Sequence, residues 1–180
     1  MKKFDCIFLD RDGTLNPDPG YINNILDYNF YDFTFPALKM MSKNNNRFCI
    51  VTNQSGVARG LIPVENLNII NDFIKKEFSA NNISLLEIYM CFDHPDNASI
   101  RRKPGSGMFL EAKEEYNLKF SKCLMVGDSI SDMEAGKNLG METMLVLTGK
   151  GKETFKNFRD SKFITYFADN IYEGFKQLCR

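Results

Sequence analysis

The chain has 180 residues, 43% hydrophobic and 26% charged, proportions ordinary for a soluble globular protein with one sizeable core. Lysine plus arginine equals aspartate plus glutamate at 23 each, so no global field favours nucleic acid or an anionic membrane, and any anion must be held by a local cluster. No apolar run reaches transmembrane length, and Met1-Lys2-Lys3 is followed too soon by Asp5 and Asp10 for a signal peptide; five widely spaced cysteines, Cys6, Cys49, Cys91, Cys123 and Cys179, suit a reducing cytoplasm without disulfides.

Apolar β-rich runs then alternate with helical patterns. The first strand is expected at 4–9. It ends in Asp10 and Asp12, and Gly13 lets the backbone turn. Residues 13–33, with Pro17, Pro19, Gly20 and the aromatic series Tyr21, Tyr28, Phe30, Tyr31 and Phe33, do not fit the alternation and form either a small hairpin or a flap over the site. A helix is expected over 34–45, a strand over 48–52, and a helix over 63–79, where Leu67, Ile70, Phe73, Ile74 and Phe78 recur at helical spacing and Pro63 suits the first helical position. The pattern continues with a strand at 87–91, an irregular loop at 92–104, a helix at 105–117 and a strand at 123–126. A helix at 131–138 follows, opened by a capping-box pattern Ser131-Asp132-Met133-Glu134 and stopped by Gly140, then strands at 143–146 and 163–167 and a helix at 170–178. This alternation predicts an α/β fold, a Rossmann-like doubly wound parallel sheet forming one domain over 1–180. Neither irregular segment is long enough for a separate cap domain, so the site is expected to be open.

In such a sheet, ligands bind beyond the carboxyl ends of the strands. Asp10 and Asp12 stand at such an end. They can share a hard divalent cation, and one can attack an electrophile while the other moves protons; an Asx-rich turn is the plain structural alternative. Three further strand ends carry polar groups. Thr52-Asn53-Gln54-Ser55-Gly56 supplies donors for a phosphate or simply a polar turn. Arg101-Arg102-Lys103 precedes a helix N-terminus, a natural anion site, or is a solvated basic loop. Gly127-Asp128-Ser129-Ile130-Ser131-Asp132 again puts an acid after an apolar strand, for metal binding or for helix capping.

Taken in order, these segments resemble the motifs of the haloacid dehalogenase (HAD) superfamily over nearly the whole chain. Asp10-Arg11-Asp12-Gly13-Thr14 is similar to its first motif, Thr52 to its second, Lys103 to its third and Gly127-Asp128…Asp132 to its fourth. Phe8 to Asn16, the nine-residue block Thr52-Asn53-Gln54-Ser55-Gly56-Val57-Ala58-Arg59-Gly60, and Arg102-Lys103-Pro104 resemble the D-glycero-D-manno-heptose 1,7-bisphosphate phosphatases and their histidinol-phosphatase relatives. The resemblance implies a phosphatase acting through a phospho-aspartate on Asp10, with Asp12 as general acid and base. It implies Mg2+ on Asp10, the backbone carbonyl of Asp12, and Asp128. Thr52 and Lys103 would hold the transferring oxygens, Asp132 would orient Lys103 or a metal-bound water, and Asn53, Gln54, Arg59 and Arg102 would reach the rest of the substrate. The implied partner is a small phosphorylated sugar in surface-glycan precursor synthesis, with histidinol phosphate or another small phosphate monoester as the alternative and a catalytically silent binding module on this fold as the reading from a different class; no nucleic acid, no membrane, and a monomeric cytoplasmic enzyme are expected.

Relatives often carry a zinc loop before Arg-Lys-Pro. Here Cys91 is kept, but Asp93, Ser99 and Arg101 stand where a His and two Cys ligands would be, and Cys91 with His94 cannot supply the four ligands of a structural zinc site. No zinc is expected, and the loop must be held by packing and hydrogen bonds, with His94 supporting it. Ser129 also departs, since many relatives have Lys or Arg there.

Overall fold

The computed structural model describes residues 2–179. Six parallel strands, β1 (Cys6–Leu9), β2 (Phe48–Asn53), β3 (Leu85–Cys91), β4 (Cys123–Gly127), β5 (Glu142–Val146) and β6 (Tyr166–Ala168), form one sheet in the order β3-β2-β1-β4-β5-β6. The helices are α1 (Thr34–Ser42), α2 (Val64–Ala80), α3 (Gly107–Tyr116), α4 (Ile130–Asn138), α5 (Gly151–Phe158) and α6 (Ile171–Leu178). The central strands read as unbroken apolar runs because both their faces are covered. On one face Ile7, Leu9, Ile50 and Val126 pack with Leu38, Ile70, Ile74 and Phe175 from α1, α2 and α6. On the other, Phe8, Val51 and Met125 pack with Met108, Phe109, Ala112 and Ala135 from α3 and α4, and Cys6, Cys49 and Cys123 are buried there as small apolar residues. None of the helices among the described residues is long and apolar enough to cross a membrane.

Strand order reverses between β1 and β4, and that switch point is where an α/β sheet opens a crevice. Asp10 extends the β1–β4 ladder by one bond, its N–H donating to the Val126 carbonyl at 2.9 Å, so Asp10 is pinned directly beside the end of β4.

Several boundaries differ from expectation. Helix α2 begins at Val64, with Pro63 in extended conformation just outside it rather than in its first turn. Helix α4 begins at Ile130, one residue early, because the cap is Ser129 and not Ser131: the Ser129 N–H donates to Asp132 Oδ2 at 3.1 Å, and Asp132 rather than Glu134 closes the capping box. Gly140, at φ +77°, ends α4 as expected, its N–H donating to the Lys137 carbonyl. The last strand is Tyr166–Ala168, which begins three residues later and ends one later than the 163–167 pattern, and α5 has no counterpart among the expected helices. Residues 13–33 hold no hairpin: their regular structure is a short 3-10 turn at Ile25–Asp27, and an Asp12–Asn16 bridge closes the turn that follows β1.

Candidate active site

A cavity of about 570 Å3 opens at the switch point, lined by Asp10, Asp12, Thr52, Lys103 and Asp128 from the ends of the central strands and the loops beyond them. Lys103 arrives from the far end of the 92–104 loop. Its Nζ donates to Asp10 Oδ1 at 2.6 Å and to the Val51 carbonyl at 2.6 Å, and it pairs with Asp132 Oδ1 at 2.7 Å. Burial opposes the ammonium charge, yet Asp10 and Asp132 outweigh it and hold the Lys103 pKa above its ordinary value. The ion pair is thus a fixed positive charge placed against Asp10. The backbone of Lys103 is clamped as well: Asn53 Nδ2 donates to its carbonyl and Asn53 Oδ1 accepts its N–H, both at 3.1 Å.

Asp12 is held by a different set of donors. Arg11 Nε and NH2 reach its two oxygens at 3.0 and 2.7 Å, Asn16 Nδ2 reaches Oδ1 at 2.9 Å, and Gln54 Nε2 reaches Oδ2 at 2.8 Å. Burial pushes its pKa up, but Arg11, Asn16 and Gln54 outweigh it and hold Asp12 below the usual carboxylate value. Arg11 itself is fully buried, with its guanidinium 5.8 Å from the centre of the Tyr28 ring. Gln54 Nε2 also donates to Thr52 Oγ1 at 2.8 Å, which joins the Thr52 hydroxyl to the Asp12 network.

Asp128 is fixed from the loop between β5 and α5. The Lys150 N–H donates to its Oδ2 at 2.7 Å, and Thr148 Oγ1 donates to the Gly13 carbonyl at 2.6 Å, which ties that loop to the turn after β1. Oxygens of Asp10, Asp128 and Asp132 lie within 4.8 Å of one another. Burial, and then Asp132, push Asp128 up to about 7; burial with Asp132 and Asp128 pushes Asp10 up against the opposing pull of Lys103. Hard carboxylate oxygens that raise one another's pKa are the donor set a divalent cation stabilises, so the residues fit a magnesium or similar hard ion.

The chain is similar to proteins of known family. The HAD-hydrolase-like family matches residues 100–173. The chain is 36% identical over 167 residues to the D-glycero-alpha-D-manno-heptose-1,7-bisphosphate 7-phosphatase of Campylobacter jejuni, covering 92% of this chain and 96% of that one. It is 37% identical over 154 residues to the beta-anomer 7-phosphatase of Yersinia pestis, with 81% of each covered. The chain belongs to the heptose bisphosphate phosphatase family of HAD-like hydrolases. A solved D,D-heptose 1,7-bisphosphate phosphatase from B. bronchiseptica, complexed with magnesium and phosphate, superposes with a TM-score of 0.89 at 28% identity over 99% and 98% of the two chains.

As a HAD-like phosphatase, this chain is a phosphoric monoester hydrolase. Of the residues expected at its site, Asp10, Asp12, Thr52, Asn53, Gln54, Arg102, Lys103 and Asp128 all line the one cavity, and Asp132 lies beneath it on Lys103. Arg59 does not: it is exposed and lies outside the lining, because the 54–60 turn carries it out to solvent. Arg101 also points away, with NH1 on Glu111 and NH2 donating to the Met90 carbonyl. The loop without zinc ligands is held by hydrogen bonds: Asp93 Oδ2 accepts the Ser99 N–H at 2.7 Å, His94 Nδ1 accepts the Asp96 N–H at 3.2 Å, and Arg102 NH1 donates to the Asp93 carbonyl at 3.1 Å. Arg11, bonded to Asp12, and the Thr148–Lys150 loop, bonded to Asp128 and Gly13, also brace the cavity, and neither is among the residues expected there. A signal for the latter existed, since Leu145-Val146-Leu147 runs into Thr148-Gly149-Lys150 as the other apolar strands run into their polar turns.

Proposed function

We propose that the protein is a magnesium-dependent D-glycero-D-manno-heptose 1,7-bisphosphate 7-phosphatase serving surface-glycan precursor synthesis. The observation that carries the reading is the convergence of Asp10, Asp12, Thr52, Lys103 and Asp128 on one strand-end cavity. Asp10 attacks phosphorus: its carboxylate oxygen forms a bond to phosphorus as the bond to the sugar oxygen breaks, giving a phospho-aspartate. Asp12 gives a proton to the leaving alkoxide. The four hydrogen bonds from Arg11, Asn16 and Gln54 stabilise its anionic form, and an incoming phosphate dianion raises its proton affinity enough to carry that proton. Once deprotonated, Asp12 takes a proton from the water that attacks the phospho-aspartate, and phosphate leaves.

Lys103 and Thr52 hold the equatorial oxygens, and the Lys103 charge offsets repulsion between Asp10 and the phosphate. Asp10, Asp128 and the backbone carbonyl of Asp12 would hold magnesium, whose chemistry is to neutralise phosphate charge and align phosphorus with the nucleophile. Four carboxylates and three cationic side chains line the cavity, so a divalent cation is also what turns its charge balance toward a dianion. Arg102, on the rim, supports recognition of the substrate beyond the reacting phosphate.

The test is phosphate release, with and without magnesium, from both heptose 1,7-bisphosphate anomers, histidinol phosphate and a simple phosphomonoester. Magnesium-dependent turnover of a heptose bisphosphate at least about tenfold above the others is expected, a margin one charge-assisted contact supplies. Faster turnover of histidinol phosphate would overturn the substrate, and full activity of Asp10→Asn would overturn the mechanism.

A further inference from the structure

We propose that Lys150 is a specificity residue whose ammonium leaves Asp18 and takes the substrate's second phosphate, the one that does not react; the assignment rests on the bisphosphate reading above. The reacting phosphate must reach Asp10, Lys103 and Asp128, which are 8%, 4% and 3% exposed and form the cavity floor. The other dianion, carried at the far end of the sugar, therefore lies toward the mouth. Of the three cationic side chains lining the cavity, Lys103 is engaged at the floor. Arg102 and Lys150 remain, on separate loops. The Lys150 side chain is 69% exposed, and it faces Asp18 Oδ2 at 3.4 Å, longer than a tight charge-assisted bond. A long pair whose cationic end is solvated contributes little, whereas a phosphate offers a larger charge and three acceptor oxygens. Asp18 lies 15% exposed in the segment that includes Pro19, Gly20 and Tyr21, all lining the same cavity, so the partner exchange happens where substrate enters.

Lys150→Met tests this cleanly, because it keeps the backbone N–H that supports Asp128 and removes only the ammonium. On heptose 1,7-bisphosphate, kcat/KM should fall about ten- to a hundredfold, mainly through KM, with a loss at least about tenfold smaller on p-nitrophenyl phosphate. Lys150→Arg should restore most of it. Asp18→Asn, which keeps the Oδ1 acceptor of the Gly20 N–H, should lower KM for the bisphosphate about two- to fivefold, and should lose that effect in the Lys150→Met background. Equal losses on both substrates would assign Lys150 to the reacting phosphate or to the loop and overturn the proposal, as would an unchanged KM in Lys150→Met. Wild-type enzyme that turns over the bisphosphate no better than the monoester overturns the proposal and the substrate reading together; a wild-type preference with an indifferent Lys150→Met overturns the proposal alone.

Discussion

Gly149→Ala separates two costs that a glycine can carry. Gly149 sits at φ +50°, and a Cβ there would lie 2.2 Å from Asp128 Oδ2 and 2.6 Å from Gly13 Cα. Neither neighbour can retreat freely: the Lys150 N–H holds that same oxygen, and Thr148 Oγ1 holds the Gly13 carbonyl. Gly140 is the internal control, since it has φ +77° but nothing within 4 Å of its virtual Cβ. Left-handed backbone costs an alanine about 1–2 kcal/mol, which is all that Gly140→Ala should lose. Gly149→Ala adds forced displacement of packed atoms, roughly another 1–3 kcal/mol. At about 2–4 °C per kcal/mol for a chain of this length, Gly149→Ala should melt several degrees below Gly140→Ala. The displaced group is the Asp128 carboxylate, so magnesium affinity and kcat should fall for Gly149→Ala and stay at wild-type values for Gly140→Ala. Thermal unfolding with and without magnesium, together with a metal titration of activity, reads both. Equal melting points and equal metal affinities in the two variants would refute the reasoning, because they would mean that Asp128 is not braced by this loop.

Asp12→Asn should still be phosphorylated by an ester with an activated leaving group but turn over a sugar phosphate at least about a hundredfold more slowly, the usual scale of lost general acid catalysis; parallel losses on both esters would remove Asp12 from proton transfer. Asp128 carries a pKa raised to about 7, above its unfolded value, so the metal-free fold binds an extra proton between the two values. Stability of the metal-free protein should therefore fall as pH rises from about 4 to about 7 and then level off, and magnesium affinity should rise over the upper part of that window by up to about tenfold per pH unit; a magnesium affinity flat from pH 5 to 7 would count against Asp128 as a ligand. Elemental analysis should find no stoichiometric zinc, and Asp93→Ala, which removes the acceptor of the Ser99 N–H, should raise KM while a chelator leaves the 91–104 loop folded; one zinc bound per chain would contradict this.

How much the sequence reveals follows from where each signal is local. The run from Cys6 to Leu9 is apolar on both faces and stops at an acid, so the strand and its functional end are written in adjacent residues. Thr52 and Asp128 share that grammar at the ends of β2 and β4, whereas Lys103 stands twelve residues beyond β3 and is marked only by the basic run Arg101-Arg102-Lys103 before α3. Helix α5 is hard to read because its stripe is short: Gly151, Thr154, Phe155 and Phe158 recur at helical spacing, but only two of them are large apolar residues and Phe158 is exposed. Arg11 was missed for a different reason. Arginine is ordinarily surface material, and its burial depends on Tyr28, brought in by a segment with little regular structure of its own. Arg59 and Arg101 show the converse: charge beside a motif says nothing about direction, and Glu111, one turn into α3, turns Arg101 aside.

The double hydrogen bond between the Asn53 amide and the Lys103 backbone gives Lys103 its own mooring at the end of β2. At its other end, the same loop leaves the sheet at Cys91, the last residue of β3. The side-chain hydrogen bonds between these two anchorages, from Ser99 and Arg102 to Asp93 and from Arg101 to Met90, do not involve Asp10. Asp93, Ser99 and Arg101 can therefore change, and the rim beside the cavity with them, while Lys103 keeps its place against Asp10. Such a layout lets selectivity drift across generations without a matching drift in chemistry.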